Sequence, residues 1–223
     1  MNFTYDAYEE MLVLLQKNRY EICNYGTYQR SSRCVILRHD VDFNLEAALR
    51  FAELEHKNSV QSTYFVLLST SFYNLFHKKA NNIIKEIFAM GHQIGLHFDE
   101  ANYSILTKEE LIYYVEKEAS IMSKALEVEI KTVSMHRPST WVLEANLHFE
   151  SVINSYSKEF FKNFKYVSDS RMNWQEDVYQ VIESNVYERL HILTHPIWYG
   201  TQESSIKERL KDFIKGQKYS CYG

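Results

Sequence analysis

Residues 34–42, Cys34-Val35-Ile36-Leu37-Arg38-His39-Asp40-Val41-Asp42, pass from a short apolar run straight into a cluster of charged and polar groups. Arg33–Leu37 has the length and composition of a buried strand, and Asn44 then caps a helix with Leu45, Ala48, Leu49, Ala52 and Leu54 at helical spacing. A buried strand that ends in carboxylates and enters a helix at once is the repeating unit of a parallel α/β fold. If strand geometry persists through the cluster, Asp40 and Asp42 share one face while His39 and Val41 point the other way. Two neighbouring carboxylates on one face repel each other, and a bound cation or a retained proton would relieve them.

The same unit recurs along the chain. Thr4 or Asp6 can cap an amphipathic helix over residues 4–18, carrying Tyr8, Met11, Leu12 and Leu15 on one face. Ser62–Leu68 is a β-branched and aromatic strand, Asn82–Met90 a helix stopped at Gly91, and Gln93–Phe98 a strand. Thr107 and Glu110 form a capping box for a helix that reaches about Leu126. Thr132–Met135, Tyr166–Ser168 and Leu190–Thr194 read as strands, and Glu203–Ile214 as a closing amphipathic helix. Histidines or aspartates stand at the C-terminal ends of at least five of the strands, where a (β/α) barrel builds its active site. The glycine-rich phosphate loop of an open doubly wound sheet is missing after the first strand. The pattern therefore predicts a barrel.

Composition excludes several classes. The chain has 223 residues, 45% of them hydrophobic and 24% charged, which fits one globular domain over residues 1–223 and argues against disorder. A net charge of −4 does not suit nucleic acid as the main partner. Cys23, Cys34 and Cys221 are an odd set without metal-finger spacing, suited to a reducing compartment. The opening MNFTYDAYEEMLVLL carries acids where a secretion signal needs basic residues, and no stretch is long enough for stable membrane insertion. These features lead to an expected cytoplasmic location.

Three histidines carry the chemistry. In Gly91-His92-Gln93-Ile94-Gly95-Leu96-His97 the two imidazoles lie on opposite faces of a strand, so His97 at the strand end is the expected ligand and His92 a structural residue. Gly95, on the face of His97, is expected to leave room for a ligand. His136 and His195 each end a strand and are followed within two residues by Pro138 and Pro196. His56, His77, His148 and His191 lack that context and read as surface or packing residues. Three strand-end histidines with an Asp-Val-Asp on one rim favour a metal hydrolase.

Taken in order, Leu37–Asp42, Thr63-Tyr64-Phe65, Gly91–His97, Arg137-Pro138, Asp169-Ser170 and Leu193-Thr194-His195 resemble the motifs of the polysaccharide deacetylase superfamily. This is the NodB-homology group, family 4 of the carbohydrate esterases. The Arg-His-Asp-Val-Asp form looks like a branch linked with bacterial surface-polysaccharide genes. The resemblance implies a distorted (β/α)7 barrel and a metal-dependent hydrolase that removes an N-acetyl group from an amino sugar. By position, Asp40 matches the catalytic base, Asp42 the metal-binding aspartate and His97 the first metal histidine. Arg137 and Asp169 match the residues that orient the base and the acid, and His195 matches the acid.

Two departures stand out. Val41 separates aspartates that are adjacent in the usual family, and Ala101 occupies the place of the second metal histidine. His136 is the expected replacement, with Asp99 as runner-up. The expected metal is zinc. Trp141, Trp174 and Trp198, in loops after the motif strands, are expected to stack on the sugar or to pack across the mouth. The expected substrate is a nucleotide- or lipid-linked N-acetylated sugar of lipopolysaccharide or another surface glycan. A catalytically inactive barrel that binds a glycan or partner, and a hydrolase of a small amide or ureide, are the alternatives. Oligomeric state is not readable from the sequence.

Overall fold

The computed structural model describes residues 1–220, with side-chain surroundings described through residue 216; Cys221 lies outside this range. The eight strands among the described residues are β1 (Glu21–Cys23), β2 (Cys34–Val41), β3 (Thr63–Val66), β4 (Gln93–Phe98), β5 (Thr132–Met135), β6 (Ile153–Asn154), β7 (Lys165–Ser168) and β8 (Arg189–Thr194). Their ladders are all parallel, in the order β6-β5-β4-β3-β2-β8-β7, with β1 added beside the start of β2. The pairing of β8 with β2 brings the last strand back to the first long one, so the sheet curls into an open, distorted (β/α)7 barrel. Its one unladdered seam among the described residues lies between β6 and β7.

Helices cover the outside. They include α1 (Tyr5–Lys17), α2 (Leu45–Lys57), α3 (Lys78–Ala89), α4 (Lys108–Leu126), α5 (Thr140–Ala145), α6 (Lys158–Lys162), α7 (Val178–Glu183) and α8 (Ile206–Ser220). Thr4 and Asn44 cap α1 and α2 by accepting from Ala7 and Ala47 backbone N–H groups, and the capping box at Thr107 and Glu110 is formed. β2 is longer than its apolar run, because Arg38, His39 and Asp40 continue the ladder to β3 and are buried with it. β1, β6 and helices α5–α7 are not anticipated by the periodicity.

Alternation along β2 separates two environments. Val35 and Leu37 pack outward against Tyr8, Met11, Leu12 and Leu15 of α1 and Phe51 of α2. Cys34 and Ile36 face inward, joining Tyr25, Tyr28, Phe65, Phe160 and Phe164 in the plugged base of the barrel. The outward His39 reaches Glu55, a fully buried carboxylate on α2. Glu55 also accepts from Tyr8 (2.7 Å), Ser62 (2.6 Å) and Tyr64 (2.7 Å). On its other nitrogen His39 bonds Thr194 of β8 at 2.6 Å, which couples β2, the strand that carries Asp40, to β8, the strand that His195 follows. Such a charge is tolerable in the interior because its lone pairs are filled.

Candidate active site

The inward side chains at the C-terminal ends of β2, β4, β5 and β8 meet at the mouth. His97 is aligned with Ser134 in the β4–β5 ladder, and its Nδ1 lies 2.6 Å from Ser134 Oγ. That contact aims Nε2 at Asp42, 3.2 Å from Oδ1. His136 leaves β5 with its backbone N–H donating to the carbonyl of Phe98, and its Nδ1 lies 3.1 Å from Asp99 Oδ2. Its Nε2 stands 3.9 Å from the same Asp42 oxygen. One donor atom from each of Asp42, His97 and His136 falls within 4.8 Å of the others.

This set fits a divalent cation. Asp42 Oδ1 is buried and has no hydrogen-bond partner, although two imidazole nitrogens point toward it. Each imidazole is oriented through its far nitrogen, which is how ligating histidines are ordinarily held. One carboxylate and two imidazoles match zinc or a similar borderline metal. Ala101 sits in a short turn where its backbone N–H donates to Asp99, so Asp99 braces both the turn and His136.

Asp40 lies beside this cluster, with Oδ2 3.7 Å from His97 Nε2. Burial alone would raise its pKa, but the Arg38 guanidinium, with His97 adding to it, holds the carboxyl well below the usual carboxylate range. Arg38 is fully buried and bidentate, with Nε 2.8 Å from Oδ1 and Nη2 2.8 Å from Oδ2. The expectation for Arg137 is corrected here. Its side chain is 77% exposed, and its Nη2 lies 3.7 Å from Asp99, not Asp40. The backbone of Arg137 has φ +46°, which turns it out of the strand direction. The alternation that places Asp40 and Asp42 inward also places Arg38 inward, and that signal was present in the sequence.

His195 stands across the mouth, its Nε2 4.0 Å from Asp42 Oδ2. Asp169, fully buried after β7, grips it twice: Oδ1 is 2.6 Å from Nδ1, and Oδ2 accepts the backbone N–H at 3.0 Å. Burial opposes the charged imidazole, but Asp169 outweighs it, aided by Asp40 and Asp42, and the pKa is pushed up to about 9. A histidine so placed is positioned to donate a proton toward the cluster.

Other expectations need correction. Trp198 is buried in the outer core against α1 and α2, and Trp174 packs on the same cluster, with both indole nitrogens buried. Trp198 presents no free ring face to the mouth; Trp174 is half-buried, and Trp141, at the start of α5, is exposed. Gly95 does not leave ligand space, since a Cβ there would lie 2.5 Å from the Phe65 ring and 2.7 Å from Thr132 Oγ1. It is small because Phe65, its partner in the β3–β4 ladder, fills the interior. His92 is buried in the Glu55 network, as a structural histidine would be, and His191 packs inside the barrel.

No protein-family model matches the chain, and a search of curated proteins finds no match. Solved structures do match. A mutant of a CE4 family pseudoenzyme with restored enzymatic activity is 18% identical at a TM-score of 0.49, over 85% of this chain and 64% of that one. The chain thus spans under two thirds of that protein. A polysaccharide deacetylase from Bacillus cereus is 18% identical at a TM-score of 0.47, over 84% of this chain and 88% of that one. A family 4 carbohydrate esterase from Bacillus anthracis is 14% identical at 0.48, over 94% and 86%.

Proposed function

We propose that the chain is a metal-dependent N-deacetylase acting on an acetylated amino sugar of a bacterial surface-glycan precursor. The observation that carries this reading is the convergence on one mouth of the Asp42–His97–His136 set, the Arg38-held Asp40 and the Asp169-held His195. The motif order in the sequence supports it independently.

Asp42, His97 and His136 would hold the cation, zinc by the chemistry of the donors. When bound, such a cation polarises a water and the acyl oxygen. Asp40, kept ionised by Arg38, is placed to accept the proton of the attacking water. His195 donates its proton to the amide nitrogen as the carbon–nitrogen bond breaks, and Asp169 keeps the ring in the donating orientation. Water is consumed, and acetate and a free amino sugar are released. The inactive-barrel alternative drew on Ala101, and His136 supplies a second imidazole from another strand, which weighs against it. A cytoplasmic precursor is consistent with the free thiols of Cys23 and Cys34.

Amine release from N-acetylglucosamine oligomers and from a nucleotide-linked N-acetyl sugar, with zinc and with a chelator, tests the proposal. Release that requires metal and disappears in Asp40→Asn is expected. No release from any acetylated sugar by zinc-loaded protein would overturn it.

A further inference from the structure

All ladders of the sheet are parallel, so every connection that follows a strand lies at the same end of the barrel as the mouth. The connections after β3, β4 and β5, which are consecutive in the sheet, each leave large apolar side chains in water. Phe72 and Phe76 (65% exposed) stand between β3 and α3, Leu106 (87% exposed) between β4 and α4, and Trp141 and Leu143 on α5 directly after β5. At the opposite end the exposed Phe88, Ile153 and Val186 stand at or before the starts of β4, β6 and β8, no two of which are neighbours. Basic groups accompany the apolar ones at the mouth. Lys78 and Lys79 follow Phe76, Lys108 follows Leu106 by two residues and Arg137 precedes Trp141 by four, all of them exposed. Residues 67–80 contain no acid, and Lys78 and Lys79 occupy the first turn of α3, where the helix dipole favours acids. Lys79 is paired with Glu46, and the Glu110 carboxylate beside Lys108 is turned back onto the Leu106 and Thr107 N–H groups.

Single apolar side chains in water are ordinary, but a set of them on neighbouring loops marks a contact surface. Aromatic and aliphatic tips with lysine or arginine beside them suit a bilayer interface, where the apolar groups enter the acyl boundary and the cations meet lipid phosphates. We infer that the rim of the mouth over β3–β5 docks on an anionic lipid surface and turns the mouth toward it. No helix among the described residues is long and apolar enough to cross a membrane, so the contact is peripheral. A mouth held at the headgroups would receive a sugar carried on a lipid. That consequence rests on the proposed deacetylase reading, and the docking itself does not.

Co-sedimentation of the full chain with vesicles of phosphatidylcholine alone, and of phosphatidylcholine and phosphatidylglycerol in equal parts, tests the docking. Wild type should bind the mixed vesicles about tenfold more tightly than the neutral ones, and raised salt should erase the difference. Phe76→Ser combined with Leu106→Ser should weaken binding to the mixed vesicles roughly 100-fold, and Lys78→Gln about fivefold. Val186→Ser, at the other end of the barrel, should bind as wild type does. The substituted side chains are exposed, so the fold should survive, which an unchanged melting temperature checks. Failure of wild type to bind the mixed vesicles, equal binding to both vesicles, or a folded double variant that binds like wild type would each overturn the inference. Self-association that the double variant abolishes, without vesicle binding, would also overturn it and assign the rim to a second copy of the chain. Amine release without vesicle binding would refute the docking alone; vesicle binding that depends on Phe76 and Leu106, without amine release from any acetylated sugar, would refute the deacetylase reading alone.

Discussion

Arg38 and Asp40 lie two residues apart on one strand and meet inside the barrel as a buried bidentate ion pair, with both nitrogen–oxygen distances 2.8 Å. Successive inward positions of a strand place such side chains one above the other, so the carboxylate at the mouth rests on a cation supplied from below. The arginine also reaches Ser155 and Tyr156 beyond β6, at 3.4 Å each, and so ties the open edge of the barrel to its centre.

Removing one member of this pair leaves the other buried and uncompensated. Arg38→Met should therefore destabilise the fold by about 3–5 kcal/mol. Arg137→Ala, at a side chain that is 77% exposed, should stay within about 0.5 kcal/mol of wild type. Arg38→Met combined with Asp40→Asn should recover part of the loss. Urea unfolding of the three variants measures this, and comparable losses for the two arginine variants would contradict the assignment.

The cation site separates ligands from their supports. Asp42→Asn, His97→Ala and His136→Ala should each abolish tight zinc binding, while Asp99→Asn should weaken it about 10–100-fold by freeing the His136 ring. Asp40→Asn should retain zinc and lose turnover, since its proposed task is proton transfer. Zinc titration by calorimetry checks the set; undiminished affinity in His136→Ala would remove that residue from it.

Strand alternation and strand-end polarity were legible because they are local. The inward pairing of Asp40 with Asp42 and the strand-end positions of His97, His136 and His195 all follow from periodicity. What was not legible depended on register. Gly95 looked like room for a ligand until the ladder set Phe65 beside it. Trp198 looked like a sugar platform until the short turn after His195 carried it into the outer core. β6 has two residues and α6 has five, too few to show a period, so the open seam left no trace in the pattern. Arg38 is legible by the same rule, because the spacing that selects the aspartates selects it as well.

Asp169 is proposed to keep His195 protonated, and the pH profile should show it. In wild type the proton donor is lost as pH rises through about 9, which sets the alkaline limb of kcat/KM. In Asp169→Asn the compensating carboxylate is gone while burial remains, so the limb should fall by about 1–2 pH units. His195→Ala should cost roughly 10²–10⁴-fold in rate at neutral pH with little loss of zinc. An alkaline limb that does not move in Asp169→Asn would show that another group is the acid.

Two buried carboxyls outside the site should give stability opposite pH dependences. Glu55 is buried, which alone would raise its pKa, but His39 and its other donors bring it down to about 2. A depressed folded-state value means stabilisation that is fully present above the unfolded value near 4.5 and lost as pH falls toward 2. Glu118 on α4 is also buried, and its Tyr103 hydrogen bond does not compensate, so its pKa is raised to about 7. A raised carboxyl costs nothing below about 4.5, where it is protonated in both states, and the penalty is complete once pH exceeds about 7. Each shift corresponds to roughly 3 kcal/mol at full effect. Glu118→Gln should accordingly be more stable than wild type at pH 8, with the advantage gone by pH 4.5. Glu55→Gln should be less stable at pH 7, with a deficit that narrows below pH 4.5. Denaturant melts of metal-free protein between pH 3.5 and 8 resolve the two slopes. Parallel slopes for the two variants would mean that the donors around Glu55 do not hold it ionised, and the His39 link between β2 and β8 would lose its electrostatic basis.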